Sequence, residues 1–479
     1  MKPRLLLLPL TIVAVSLNTD WESDLCVMAA NDDTTPAIVH PTGFVHPYIS
    51  EDTMPISAFL PFSRGHLNAK NDLQSTINRS GFRLYKEAGF NIVVPSFEKM
   101  NPSDERYVRK EIELCKEFRL GYMPNDPSFN GFGAIPEGTD QDYYEKFYQS
   151  RFYFDQEPVI GVQGIDEPKR PSYEHMGLCT KALKNITPNR VFFSTLFPFG
   201  APELGYGEDD KIICWEFYER YINDYVNIVK PDILAYDQYL WHLPTTANKG
   251  LGAVDLHLGS LSRYSRVSKK AGIPFWGTLI GSKTYAREQY SEAEHWWALN
   301  TYLAYGAKGI QYYTYLPVVE GYSPDWTEEL RRAGIVSPNG MPLDNYYRIK
   351  RMNEHIHLVD DVLMPASHKG VMTFGDYVPP LMPEDLLEKF GPLLSIEGGN
   401  ALVGCFELNG KPVYYVMNDS IDDGGPINRQ VGITTYKLQF KEKANVRIKN
   451  INIGTKEYNN VYACGFNLSG GEAMLVEVL

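Results

Sequence analysis

Short apolar runs recur along the chain at a near-constant spacing. They begin near Ile56 (ISAFLPF), Phe90 (FNIVVPS), Leu120 (LGYMPND), Val159 (VIGVQGIDEP), Val191 (VFFSTLF), Ile233 (ILAYDQYLW), Pro274 (PFWGTLIG) and Gly309 (GIQYYTY), in steps of 30 to 42 residues. Runs of this length read as strands. The stretches between them read as helices: Val108, Ile112 and Cys115 share one face with charges opposite, and 221–229 and 296–305 behave alike. Several such stretches stop just before a glycine and a new run, at Gly89, Gly272 and Gly306. Eight strand–helix units in succession predict an α/β fold, a (β/α)8 TIM barrel. A doubly wound open sheet is the alternative. It would place a glycine-rich phosphate turn after the first strand, where this chain has PFSRGHLNAKND.

Beyond a last barrel helix at about 346–360, the period changes. Segments 371–374, 393–396, 401–408, 413–417, 435–440, 445–453 and 473–478 are strand-like, separated by Asn-Gly, Gly-Gly and Asp-rich turns. They predict an all-β sandwich. With no long linker, the barrel (51–362) and the sandwich (363–479) are expected to dock, behind a leader (1–29) and a short extension (30–50).

The leader is expected from Lys2 and Arg4 followed by the apolar stretch 5–17, too short and too proline-marked to span a bilayer. Cleavage after Val27-Met28-Ala29 or Ala14-Val15-Ser16 would make the protein secreted or periplasmic. A buried N-terminal helix is the other reading. Cys26 invites a lipid anchor, but Ser23-Asp24-Leu25 is no small-residue lipobox. After the leader no run is long enough to cross a membrane. Five scattered cysteines follow Ala29 without a CxxC, which suits neither a disulfide framework nor a zinc site. Whether Cys405 and Cys464 pair is open. A hydrophobic content of 43% is globular, and a net charge of −13, from 46 basic against 59 acidic residues, argues against a nucleic-acid partner.

In a barrel of this kind the active site lies at the C-terminal ends of the strands. The fourth strand ends Gln163-Gly164-Ile165-Asp166-Glu167-Pro168. Alternation turns Ile160 and Val162 to the helices, and Gly161, Gln163, Ile165 and Glu167 to the interior. Glu167 then stands at the mouth as a candidate general acid, its pKa raised by partial burial. The structural alternative is helix capping, with Pro168 in the first turn. Asp237, ending the sixth strand, is the best second carboxylate. Asn125 and Asp126 follow the third strand, though Asn-Asp-Pro is also plain turn chemistry. Tyr239, Trp241, Trp276, Gln311, Tyr313 and Tyr315 alternate rings with hydrogen-bonding groups near strand tips, a pattern suited to a sugar. By parity, Tyr236 and Tyr312 pack against helices instead. The histidines of Glu354-His355-Ile356-His357 are two apart and share no helix face, so they form no zinc motif. There is no GxSxG elbow or P-loop, nor a Ser-His motif for an esterase, and no metal or organic cofactor is implied.

Three stretches carry a resemblance: WWALNTYLAYGAKGIQYYTY (296–315), Gly164-Ile165-Asp166-Glu167-Pro168, and PDILAYDQY in the sixth strand. They look like (β/α)8 glycoside hydrolases of the signal-bearing, polysaccharide-degrading kind. The segment ALVGCFELNGKPVYYVMND and the closing GGEAMLVEVL look like their appended β-sandwich. The resemblance to the retaining clan implies that Glu167 is the acid/base. It also implies a nucleophilic Glu at the end of strand seven, where PFWGTLIGSKTY has none. Three repairs follow. The Asp-Glu pair is similar to that of substrate-assisted β-N-acetylhexosaminidases, with Asp166 orienting a 2-acetamido group. Asp237 supplies the nucleophile or an inverting base. Or catalysis has been lost and a non-catalytic glycan-binding protein remains. The expectation is a glycosidase with Glu167, Asp166 and Asp237 as its catalytic candidates and a carbohydrate as its partner.

Overall fold

The computed structural model describes residues 43–64, 67–68, 71–72, 75–95, 102–124, 126, 139–201, 204–207, 214–239, 253–283, 290–317, 332–376, 385–420 and 432–479. The chain divides into two units, Met1–Ile38 and Val39–Leu479, and the described residues all belong to the second. The leader with Cys26, and the site candidates Asn125 and Trp241, lie outside the described residues.

Eight short parallel strands form a ring: β1 (Ile56–Phe59), β2 (Ile92–Val94), β3 (Gly121–Tyr122), β4 (Gly161–Gln163), β5 (Val191–Phe193, resumed at Thr195–Leu196), β6 (Leu234–Asp237), β7 (Phe275–Ile280) and β8 (Ile310–Tyr313). Each pairs with the next, and β8 pairs with β1. Between β3 and β4 the ring closes through Ile160 N donating to Tyr122 O and Gln163 N donating to Pro124 O. Helices α1 (Arg79–Glu87), α2 (Pro102–Phe118), α3 (Gln141–Ser150), α4 (Tyr173–Ile186), α5 (Trp215–Val229), α6 (Ala253–Ala271), α7 (Glu292–Ala304) and α8 (Asp344–Leu363) follow the strands in turn.

Strand alternation sorts side chains between lumen and helices. Tyr236 stacks on Tyr264 of α6 at 3.9 Å between centroids, and the Tyr312 hydroxyl donates to Asn353 of α8 at 2.9 Å. Their neighbours Asp237 and Gln311 therefore face the lumen. The lower lumen is apolar: Ile92, Val94, Met123, Val191, Phe193 and Trp276 pack together, with Phe44 and Ile49 among them from the segment before β1. Ile160 belongs to this lumenal group too, which corrects the expectation that it faces the helices. The cause is a slip in β4. The two bonds to β3 are three residues apart on β4 but two apart on β3, so one extra residue bulges and the parity resets.

After α8 comes a seven-stranded antiparallel sheet: β9 (Ser367–Phe374), β10 (Leu393–Glu397), β11 (Ala401–Leu408), β12 (Lys411–Asn418), β13 (Thr434–Asn450), β14 (Gly454–Leu468) and β15 (Ala473–Val478). The order is β9-β11-β12-β15-β13-β10, with β14 beside β13. Long β13 pairs with β10 through 437–440 and with β15 through 446–449. Its register against β14 breaks between these stretches. The sheet thus bends over itself and encloses Val403, Tyr414, Val416, Leu438, Val446 and Val476. Cys405 and Cys464 are buried in this core as free thiols.

The other face of this sheet docks on the barrel through α7. From Glu294 to Ala304 every residue of α7 is buried, because the helix lies between barrel and sheet; its WWALNTYLA sequence is apolar all round for that reason. Gly404 allows the close approach, since a Cβ there would lie 2.4 Å from Ala304 O. The buried polar groups at the junction are matched. Trp297 Nε1 donates to Asp419 at 2.7 Å, Asn300 Nδ2 to Gly471 O at 2.6 Å, and Tyr415 OH to Asn300 Oδ1 at 2.7 Å. Among the described residues no helix is long and apolar enough to cross a membrane.

Candidate active site

Strand β4 ends at Gln163, and the chain leaves it as Gly164-Ile165-Asp166-Glu167. Alternation has no hold past that point. Ile165 is buried in the main hydrophobic core, and Glu167 has a left-handed backbone, φ +47°. The turn is nailed down on both sides. Glu167 N donates to Thr195 O of β5 at 2.8 Å, and Tyr221 OH of α5 donates to Pro168 O at 2.7 Å. Neither acid caps a helix: a 3-10 turn at Arg170–Ser172 begins after Lys169, and α4 begins after Ser172.

Asp166 is exposed to water, whereas Glu167 is half-buried. Even so, the Asp166 carboxyl is pushed up to about 7, first by the protein packed around it and then by the charge of Glu167. Exposure and desolvation coexist where a side chain stands in a concave mouth. Water touches it on one side, while protein fills most of the surrounding volume.

Asp237, 8% exposed, ends β6. It continues a hydrogen-bonded row in which Ser57 of β1 pairs with Gln311 of β8, Gln311 with Thr278 of β7, and Thr278 with Asp237. Above the row, Tyr313 lies 5.6 Å from the ring of Tyr239 and 6.2 Å from Phe59. Phe59 escaped the sequence reading, although it shares the parity of Ser57. Gln311 is fully buried in the lumen.

Three expected site residues are placed elsewhere. Tyr315 is 3% exposed and packs edge-on against Tyr85 and Phe90, in the layer beneath α1. Two residues past β8 its parity no longer follows the strand. Trp276 is fully buried in the lower lumen, beside Phe44 and Phe193, so it is core and not a sugar wall. Asp126 is fully buried, accepts from Tyr153 OH at 2.8 Å and lies 3.2 Å from Arg151; it anchors the approach to β4. The two helix histidines are structural: His355 bonds Tyr415 OH at 2.8 Å, and His357 bonds Gly89 O at 2.8 Å.

The lumen carries a second feature. Ser57 Oγ, Thr195 Oγ1, Thr278 Oγ1, Trp276 Nε1 and both amide atoms of Gln163 and Gln311 are buried without a hydrogen-bond partner. An orphaned polar group costs about 1–3 kcal/mol. At the tip of β7 there is no carboxylate among the described residues. Leu279 and Ile280 are buried, and His295 holds Ile280 O at 2.9 Å. Among the described residues no cluster of three or more His, Cys, Asp or Glu suits a metal.

No family model matches the chain, and no curated protein matches it in sequence. Among solved structures it is similar to a protein described as a glycoside hydrolase, at 9% identity and a TM-score of 0.51, over 89% of this chain and 92% of that one. It is also similar to a glucosidase from Croceicoccus marinus, at 8% identity and a TM-score of 0.42, over 92% and 98% of the two chains. A GH39 enzyme from Xanthomonas axonopodis pv. citri stands at 9% identity and a TM-score of 0.45, over 91% and 94%. The first likeness shows a shared fold of barrel and antiparallel sheet.

Proposed function

We propose that this chain is a glycoside hydrolase whose proton donor is the Asp166–Glu167 pair. The observation that carries the reading is the adjacent pair Asp166–Glu167 at the C-terminal end of β4, on a turn held by bonds to β5 and α5, with the Asp166 carboxyl pushed up to about 7. Protonating a glycosidic oxygen needs an acid that still holds its proton at working pH. Burial in the protein supplies most of that shift here and the charge of Glu167 adds to it, while the rigid turn holds both groups. A sugar ring stacking beside Tyr239 and Tyr313 would bring its exocyclic oxygen to the pair.

The second charge in this reading is Asp237, two strands away from β4. As nucleophile or as base it takes the place of the absent acid on β7. The substrate-assisted route remains the competing chemistry for 2-acetamido sugars, with Asp166 as orienting group. The early end of β4 supports either route, because it frees Asp166 from the opposite-facing position a regular strand would impose. The leader pattern at 1–29 supports export, and hence an extracellular oligo- or polysaccharide as substrate.

The test is a screen of aryl glycosides, N-acetylated ones included, with the parent chain and Glu167→Gln. Cleavage by the parent, lost in the variant, is expected. Hydrolysis confined to 2-acetamido sugars selects the assisted route. A Glu167→Gln variant that retains full activity removes Glu167 from the donor role. Binding of glycans without cleavage of any would leave a glycan-binding protein on the same scaffold.

A further inference from the structure

The lumen presents a ring of orphaned polar groups that the proposed chemistry does not use. They come from β1 (Ser57), β4 (Gln163), β5 (Thr195), β7 (Trp276, Thr278) and β8 (Gln311), all at most 2% exposed. Their inward direction follows from pairing. Ser57 and Thr278 flank Gln311 in register, Gln163 pairs with Phe193, and Thr195 and Trp276 pair with Ala235; Phe193 and Ala235 are lumenal. Gln163 and Gln311 stand on strands half a ring apart, and neither amide bonds to the other or to anything else. The same lumen holds apolar side chains, and Phe44 and Ile49 pack in from the segment before β1.

We propose that these six side chains line an internal compartment holding a cluster of ordered water, and that this water hydrogen-bonds the underside of Asp237. Water is the occupant that fits. The lining offers donors (Trp276, the two amides) and acceptors (the two amide oxygens, three hydroxyls) in a mixed set with no net charge, which suits neither an anion nor a cation. The side chains are closed to bulk solvent, so a sugar hydroxyl has no direct path to them, whereas single waters are common in polar cavities of this kind. Asp237 continues the row Ser57–Gln311–Thr278, so the cluster ends at its carboxylate. Donors from below favour the charged form, which a nucleophile or base requires. This second half rests on the proposed role of Asp237; the compartment itself does not.

The test has two arms, neither of which reads activity. A high-resolution crystal structure of the full chain, alone and soaked with a mono- or disaccharide, is expected to show density for water within bonding distance of Gln163 and Gln311 in both. A dry lumen with the amides paired to each other overturns the proposal. Density that becomes a sugar hydroxyl in the soaked crystal overturns water as the occupant. In the second arm, Thr278→Val removes the hydroxyl next to Asp237 and keeps the side-chain shape. Followed by carbon-13 NMR, the Asp237 carboxyl is expected to titrate about one pH unit higher in the variant. An unmoved titration overturns the link to Asp237. A chain that cleaves no glycoside leaves both arms readable.

Discussion

The tips of β4 and β7 face the same end of the barrel, and they are built in opposite ways. β4 is three residues long, stops early, and hands over to an irregular turn with a left-handed Glu167. β7 is six residues long, buried throughout, and its last carbonyl is taken by His295. Beyond it Asn345 Nδ2 donates to Gly281 O at 2.5 Å, and Gly281 N donates to Tyr313 O at 2.6 Å. A strand that ends early can present two adjacent acids to one mouth. A strand that persists and has its carbonyls committed leaves no wet place for one. Among the described residues the two adjacent acids therefore stand at the β4 tip and none at the β7 tip, which is a packing fact as much as a sequence fact.

The comparison can be broken most strongly by exchanging characters. Ile280→Asp, which puts an acid at the β7 tip, is expected to cost more than about 4 kcal/mol, because an unpaired carboxylate would be buried there; denaturant unfolding measures it. Asp166→Asn at the β4 tip should leave stability intact or raise it. Next in size is catalysis. Asp166→Asn and Glu167→Gln should each lower kcat about 100- to 10,000-fold on a glycoside the parent cleaves, with an unchanged circular dichroism spectrum. A loss confined to KM would mean that the pair only binds.

A smaller effect tests the clamp on β7. His295→Ala is expected to lower stability by about 1–3 kcal/mol, since it strands the Ile280 carbonyl in the core. The pH dependence is the subtlest test. With Asp166 held up to about 7, the donor loses its proton as pH rises past that value, so activity should fall on the alkaline side. Stability follows the same group. Between the ordinary carboxylate range and about 7 the folded chain holds a proton that the unfolded chain has released, so stability declines as pH rises through that window. Asp166→Asn should flatten this slope; an unchanged slope would show that Asp166 is not desolvated.

Much of the fold was readable from periodicity. Eight apolar runs and the change of period after α8 state the barrel and the second sheet, because burial on both faces or one writes itself into residue spacing. The adjacent acids were readable too, since Asp166 and Glu167 close an apolar run. Direction past a strand end was not. Tyr315 lies two residues beyond β8 and turned to α1; Ile160 switched sides because β4 slips by one against β3; Trp276 kept its inward parity but lies too deep to meet a ligand. Asp126 resembled a site residue until Arg151 and Tyr153 were found against it.

The sequence by itself determined the order of elements, the chemistry available at each strand tip and the want of an acid on β7, since these depend on which residues are neighbours along the chain. Only the tertiary structure decided how deep each side chain lies, that packing pushes the Asp166 carboxyl up to about 7, and that Gln163 and Gln311 enter the lumen from strands half a ring apart. Depth, desolvation and cross-lumen facing depend on neighbours brought together from strands far apart in the chain, and no local pattern carries that information.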